Sequence, residues 1–281
     1  MGMLKSSIRR LFKVAIFLIL LVALAVFFSY QNRVFDIERI DLSNQRVGPV
    51  RIVQLSDLHG VQFGTGNSRL LEAVLAQQPD LVVVTGDMIQ YTNTASVRNA
   101  IATFLGTLNQ SVPVICIPGN HEYRASTRDE FLAALRDAGV VVLENEILTV
   151  EADGSTVHLL GLDEPMGDGA VGAQTRALFA ELAALPGLRV VLSHYPQYYA
   201  LIGDASYQYF DFDVMFSGHA HGGQWILPGI GGLYARGQGL FPQYYRGLYD
   251  DRLVVSAGLG NSYLVPRLYN LPHIVVVQVN Q

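Results

Sequence analysis

FDVMFSGHAHGGQ, residues 212–224, sets the run FDVMF directly ahead of two histidines that stand one residue apart among three glycines. Glycine loses more conformational entropy on folding than any other residue, so glycines packed around paired imidazoles imply a close approach or a special backbone geometry. The apolar run itself reads as a buried strand. His219 and His221 fall just where that strand ends.

The same figure recurs upstream. VRIVQL (50–55) is followed by Asp57 and His59, DLVVV (80–84) by Asp87, VPVICIP (112–118) by Asn120 and His121, and LRVVL (188–192) by His194. RLVVSAG (252–258) and HIVVVQV (273–279) add two further strands. Continuous β-branched runs of this kind are buried on both faces. Between them lie helical patterns at 68–78, 96–108, 127–139 and 175–185. The third has Thr127 at the N-cap, Glu130 three residues on for a capping box, and Gly139 at its end. Strand and helix alternation predicts an α/β layered sheet. Asp153-Gly154, set within the alternating stretch 147–162, predicts a hairpin, so part of the sheet is antiparallel.

In open α/β sheets ligands bind beyond the carboxyl ends of the strands, so these five strand ends are expected to converge on one crevice. One Asp or Asn after a strand is ordinarily a turn residue or a helix cap. The joint pattern is different: five of the seven histidines follow apolar runs. Carboxylate, amide oxygen and imidazole together, without thiolate, suit hard to borderline divalent ions. Asp57 and His59, two apart on an extended segment, would share one side of it, and His219 and His221 likewise.

The order Asp-x-His, Gly-Asp, Gly-Asn-His-Glu, His, Gly-His-x-His resembles the calcineurin-like metallophosphoesterases, from about residue 50 to the C-terminus. The resemblance implies a four-layer αββα sandwich with mixed sheets and two divalent metal ions (Mn, Fe or Zn) bridged by a carboxylate. It implies that Asp57, His59, Asp87 and His221 hold one ion, and that Asp87, Asn120, His194 and His219 hold the other. His121 would then be the catalytic residue, acting on the leaving oxygen while a metal-bridging hydroxide attacks phosphorus. Within the family the chain is similar to a small bacterial phosphodiesterase subgroup, whose relatives include enzymes that cleave UDP-diacylglucosamine. The implied activity is hydrolysis of phosphodiester or pyrophosphate bonds, with an amphiphilic, lipid-linked substrate as one candidate. The alternatives are a nucleotide or phosphomonoester hydrolase, and a metal-containing scaffold without turnover; the intact His121 speaks against the scaffold.

Composition sets the surroundings. The chain has 281 residues, half of them hydrophobic, and a net charge of −5, which argues against nucleic acid as the main partner. Cys116 is the single cysteine and reads as a buried thiol. Residues 1–10 form a basic tail, and 11–30 are apolar enough for a single-pass transmembrane anchor. Residues 31–49 read as a polar linker with one short strand, and 50–281 as the catalytic domain. Ala23-Leu24-Ala25 fits a signal-peptide cleavage pattern but lies inside the apolar run. Lys5, Arg9, Arg10 and Lys13 before the run place the N-terminus inside and the domain outside, whereas a nucleotide-linked lipid would lie on the cytosolic leaflet. His158 and His273 read as structural, Asp163 and Glu164 as turn residues, and Trp225 as either a pocket wall or a packed aromatic. Segment 228–249, rich in Gly and Tyr with Arg236 and Arg246, reads as a phosphate-gripping loop, a lipid-dipping surface or an ordinary hairpin.

Overall fold

The structure is a computed structural model that describes residues 2–45, 47–163, 172–200, 202–261 and 265–280. In chain order the elements are α1 (Gly2–Gln31), β1 (Asp36–Ser43), β2 (Val50–Leu55), α2 (Ser68–Leu75), β3 (Leu81–Thr85), α3 (Ala95–Asn109), β4 (Val114–Ile117) and α4 (Asn120–Arg124). They continue with α5 (Arg128–Asp137), β5 (Val141–Val142), β6 (Glu146–Ala152), β7 (Ser155–Gly161), α6 (Ala173–Ala183), β8 (Leu188–Leu192) and β9 (Val214–Ser217). Short strands β10 (Ile226–Leu227), β11 (Gly231–Gly232), β12 (Tyr234–Ala235) and β13 (Gly239–Leu240) precede β14 (Gly247–Tyr249), β15 (Leu253–Val255) and β16 (His273–Asn280).

Two six-stranded mixed sheets result, ordered β1-β16-β2-β3-β4-β5 and β14-β15-β9-β8-β7-β6. The pleat explains why the central runs are apolar without interruption. In β2, β3 and β4, Val53, Leu55, Val82, Val84, Val114 and Cys116 face the helices α2, α3 and α5. The alternate residues Ile52, Leu81, Val83, Ile115 and Ile117 meet Leu159, Val190, Leu192, Val214 and Phe216 of the second sheet. The outer face of that sheet, with Val191 and Met215, packs under Phe179 and Leu182 of α6 and a group of tyrosines. Full burial of each such side chain stabilises the fold by about 1.5–3 kcal/mol. Helices, two sheets and helices therefore form the expected four layers.

Local signals act as expected in most places. Asp153 and Gly154 turn the β6–β7 hairpin at φ 47° and 75°. Two expectations change. Thr127 stands at the N-cap of α5 but makes no side-chain cap bond, and Glu130 instead accepts from Arg98 Nη2 at 3.3 Å. Residues 36–43, the short strand expected within a linker, form β1, which pairs in parallel with β16 along its whole length, so this stretch belongs to the first sheet rather than to a linker. β1 looks weak in sequence because it is an edge strand with only Ile40 buried. Within α1, Arg9–Gln31 is long and apolar enough to cross a bilayer, and its side chains, such as Leu11, Phe17 and Ile19, are exposed rather than packed in a core.

Candidate metal centre

The carboxyl ends of β2, β3 and β4 in one sheet meet those of β8 and β9 in the other, and all eight sequence-predicted residues gather there, buried. Asp57, His59 and His221 form one cluster of donor atoms within 4.8 Å of one another, Asp87, His194 and His219 form a second, and His59, Asp87 and His121 form a third that overlaps both. His59 Nε2 lies 3.0 Å from His221 Nε2, which in turn lies 3.4 Å from Asp57 Oδ1. On the other side His194 Nε2 is 3.1 Å from Asn120 Oδ1 and 3.2 Å from His219 Nδ1. Asp87 sits between the two: its Oδ2 is 3.4 Å from His194 Nε2 and 3.8 Å from His59 Nε2. His121 occupies the cavity side of Asp87, with Nε2 4.0 Å from Oδ2 and its backbone N–H donated to Oδ1 at 2.7 Å.

The backbone here departs from the extended geometry expected of Asp57-x-His59 and His219-x-His221. Asp57, His59, Asp87, His219 and His221 all have φ between 49° and 64°, the left-handed region. Such a conformation costs about 1 kcal/mol or more for a residue with a Cβ, so the surrounding bonds must hold it. They do: Asp57 N–H donates to Gly86 O at 3.0 Å, His59 N–H to Asp87 O at 3.0 Å, and Asn270 Nδ2 to His221 O at 2.7 Å. Strand geometry ends at Leu55 and Ser217, and the donors are aimed by tight turns instead.

The glycines are needed for space more than for flexibility. A Cβ on Gly218 would lie 2.5 Å from Asp57 Oδ2 and closer still to Ser56 Oγ. One on Gly119 would lie 2.5 Å from the Asp87 nitrogen and 2.9 Å from His194 Cε1, and one on Gly86 would lie 2.8 Å from His194 Nδ1.

Electrostatics fit divalent cations. Burial, opposed by His194 and aided by Asp87, drives the Asp57 carboxyl up to about 7. Burial acts on Asp87 in the same sense, but the charge and hydrogen bond of His194, with His59 and His121, hold it well below the usual range. Burial also lowers His59 to about 3, and lowers His219, His221 and His121, so these rings stay neutral with a lone pair to offer. His194 goes the other way: burial opposes its charge, yet Asp87 and Asp57 raise it to about 10. Two buried carboxylates thus draw positive charge into a cluster of neutral imidazoles, which is the chemistry of a divalent-cation site. His194 Nδ1 bonds Thr85 O at 2.8 Å, which orients its Nε2 toward Asp87.

Three residues support the site: Glu122 stands in the Gly-Asn-His-Glu block without a role assigned from sequence, and Gln54 and Arg267 had no sequence signal of their own. Glu122, buried and raised to about 7 by burial and by Asp87, accepts backbone N–H bonds from Asp87 at 2.8 Å, Gly119 at 2.8 Å and Ile89 at 3.1 Å. Gln54 ties the two sheets by donating to Thr85 Oγ1 at 2.9 Å and Ser217 O at 2.8 Å. Arg267 is buried behind Asp57 and bonds Gly260 O. Outside the site, His158 bonds Thr149 Oγ1, and His273 accepts from Ala257 N–H; both are structural. Asp163 N–H donates to Asn145 Oδ1 at a turn, and Glu164 lies outside the described residues. Segment 228–249 divides: Arg246 is tied to Asp36 and Glu38 of β1, while Tyr234 and Arg236 border the site.

The clusters open into a cavity of about 410 Å³ lined by His121, His219, Tyr91, Arg124, Arg236 and Asn261 among others. Buried carboxylate and imidazole donors at the strand ends of a two-sheet α/β sandwich define a metal-dependent hydrolase. More narrowly, the chain belongs to the calcineurin-like phosphoesterase family, whose profile matches residues 50–223, and it is a metal-dependent phosphohydrolase. It is 29% identical over 239 residues to the uncharacterized metallophosphoesterase YkuE of Bacillus subtilis (strain 168), covering 80% of this chain and 77% of that one. It is 27% identical to the phosphodiesterase YaeI of Escherichia coli (strain K12), over 86% of each chain. UDP-2,3-diacylglucosamine pyrophosphatase LpxG of Chlamydia muridarum (strain MoPn / Nigg) is 26% identical, over 82% of this chain and 83% of that one.

Proposed function

We propose that the protein is a membrane-anchored phosphoesterase that cleaves phosphodiester or pyrophosphate bonds of a lipid-linked substrate with two divalent ions. The observation that carries the two-ion reading is Asp87, whose carboxylate reaches both donor clusters at 3.4 and 3.8 Å. In this reading Asp57, His59, Asp87 and His221 hold one ion, and Asp87, Asn120, His194 and His219 the other. When bound, such ions polarise a phosphoryl group and lower the pKa of water to give a nucleophile at neutral pH. Mn, Fe and Zn all suit this donor set.

The chain's own residues do the rest. Arg124 and Arg236 line the cavity and offer their charge to phosphate oxygens. His121, neutral because burial lowers it, lines the same cavity and presents an imidazole N–H to the leaving oxygen. Glu122 fixes the turn that carries Asp87 and so fixes the spacing of the two clusters. The lipid-linked part of the reading is supported by exposed apolar α1 and by the likeness to LpxG, whose name gives a nucleotide-linked lipid as its substrate. The basic residues Lys5, Arg9, Arg10 and Lys13, which precede the apolar part of α1, favour a domain outside the cytosol, which a C-terminal reporter fusion tests.

The deciding experiment assays the purified full chain on bis-p-nitrophenyl phosphate and p-nitrophenyl phosphate, after chelation and after return of Mn²⁺, Fe²⁺ or Zn²⁺. Metal-dependent preference for the diester supports the reading. Preference for the monoester favours a phosphomonoester or nucleotide hydrolase, and no turnover of either favours a scaffold.

A further inference from the structure

The C-terminal end of α1 and the residue that follows it meet the folded domain next to the site. Phe27 meets Tyr269 edge-on at 6.1 Å between ring centroids. Asn32 Oδ1 accepts from Asn261 Nδ2 at 2.8 Å and from Arg267 N–H at 3.3 Å. Asn261 also lines the catalytic cavity, so the end of the apolar helix and the mouth of the site share a loop.

A second cavity, about 390 Å³, adjoins the first and is lined by Gly223, Gln224, Trp225, Leu233, Tyr234 and Val265. Gln224 and Tyr234 line both cavities. Two donors at its wall are tied to backbone carbonyls: the Trp225 indole N–H donates to Pro266 O at 3.0 Å, and Gln224 Nε2 donates to Val265 O at 2.6 Å, while Gln224 Oε1 has no bonded partner among the described residues. The indole face, Leu233 and Val265 remain as an apolar lining. Trp225 bridges to Leu268, the neighbour of the Tyr269 that touches α1. The segments that build this cavity also expose Ile230, Leu240, Phe241, Val265 and Tyr269, each between 45% and 67% exposed. Exposed apolar residues grouped beside a membrane-suited helix mark a surface that meets lipid.

We propose that this second cavity is an acyl-chain subsite. It takes the hydrocarbon of a bilayer lipid whose phosphoester lies in the adjoining catalytic cavity, between the metal-ligand clusters and the arginines. The assignment rests on the phosphoesterase reading and adds to it the part of the substrate that is not cleaved. A substrate with polar groups alone would leave Trp225, Leu233 and Val265 with nothing to cover them.

Trp225 is the chain's single tryptophan, so the protein's tryptophan fluorescence reports on this wall of the cavity and its surroundings. With the full chain in phosphatidylcholine vesicles, lipids brominated on their acyl chains are expected to quench it strongly. In the same vesicles, methyl and octyl p-nitrophenyl phosphate are compared for wild type and Val265→Asp. Each buried methylene is worth about fourfold in kcat/KM. The variant is expected to lower the octyl-to-methyl ratio about fifteenfold, the loss of roughly two methylenes, and to keep methyl-ester turnover. The shared membrane cancels simple partitioning of the octyl ester. Absence of quenching, with a ratio that Val265→Asp leaves unchanged, overturns the subsite and leaves the phosphodiesterase reading standing. Failure of wild type to hydrolyse either ester overturns the hydrolase reading and the substrate role of the cavity with it. A Val265→Asp protein that loses methyl-ester turnover is misfolded, and quenching in wild type then decides alone.

Discussion

Gly218→Ala adds one methyl group at the point where the two sheets deliver Asp57 and His219. The new Cβ would lie 2.5 Å from Asp57 Oδ2 and 3.1 Å from Ser56 Cβ, with Ser56 Oγ nearer still. Ordinary contact needs about 3.5 Å, so the Asp57 carboxylate must retreat by about 1 Å. That carboxylate also accepts the His219 N–H at 3.1 and 3.2 Å, so the retreat pulls on both clusters. Overpacking of this kind costs about 1–3 kcal/mol of stability. A 1 Å misplacement of a reacting group costs about 100-fold in turnover. Diester hydrolysis, bound metal by mass spectrometry and the thermal midpoint are measured together, with Ser56→Ala as the partner change. Ser56→Ala removes the nearest obstacle, so the double variant should recover stability while Asp57 stays displaced and activity stays low. Wild-type turnover and metal content in Gly218→Ala would show that the glycine is not there to admit Asp57.

Three further outcomes are expected. His121→Ala should lower turnover about 100- to 10,000-fold while metal content holds; loss of bound metal in proportion would make His121 a ligand instead. Glu122→Ala leaves the N–H groups of Asp87, Gly119 and Ile89 without their acceptor and should cost about 3–5 kcal/mol in denaturant unfolding, more than Glu122→Gln; equal costs would rule out the bonded role. At the base of β1, the His273 ring, with Nε2 3.0 Å from Glu38 Oε2, outweighs burial and, with Arg246, holds Glu38 down to about 2, while burial lowers His273 itself. Both folded-state values are depressed, so both contributions are present above the unfolded values and are lost as acid is added, His273 from about 6.5 downward and Glu38 from about 4.5 toward 2. Glu38→Gln should therefore flatten the fall of the thermal midpoint between pH 4.5 and 2; an unchanged slope would count against the network.

Much of the site can be read from the sequence because strand ends are local features. A β-branched run fixes where a strand stops, and in a parallel sheet the stops of neighbouring strands lie along one edge. Asp57, Asp87, Asn120, His194 and His219 therefore announce themselves one at a time, each from its own few residues. Their conformation is another matter. That five of the cluster residues turn left-handed depends on bonds such as His59 N–H to Asp87 O, whose partners are distant in sequence. Glu122 looks like an ordinary first-turn acid of α4 until the β3 turn is brought against it.

The sequence by itself determined the strand runs, the hairpin, the apolar N-terminal helix and the identity of the metal-capable residues, since each is set by period, composition or spacing over a short window. Tertiary structure alone decided that β1 pairs with β16 from the far end of the chain, and that Gly218 is small because Asp57 lies against it. It alone decided that a second cavity, lined by Trp225, Leu233 and Val265, adjoins the catalytic cleft. These rest on contacts between residues tens to hundreds of positions apart, and such contacts leave no periodic trace in the chain that makes them.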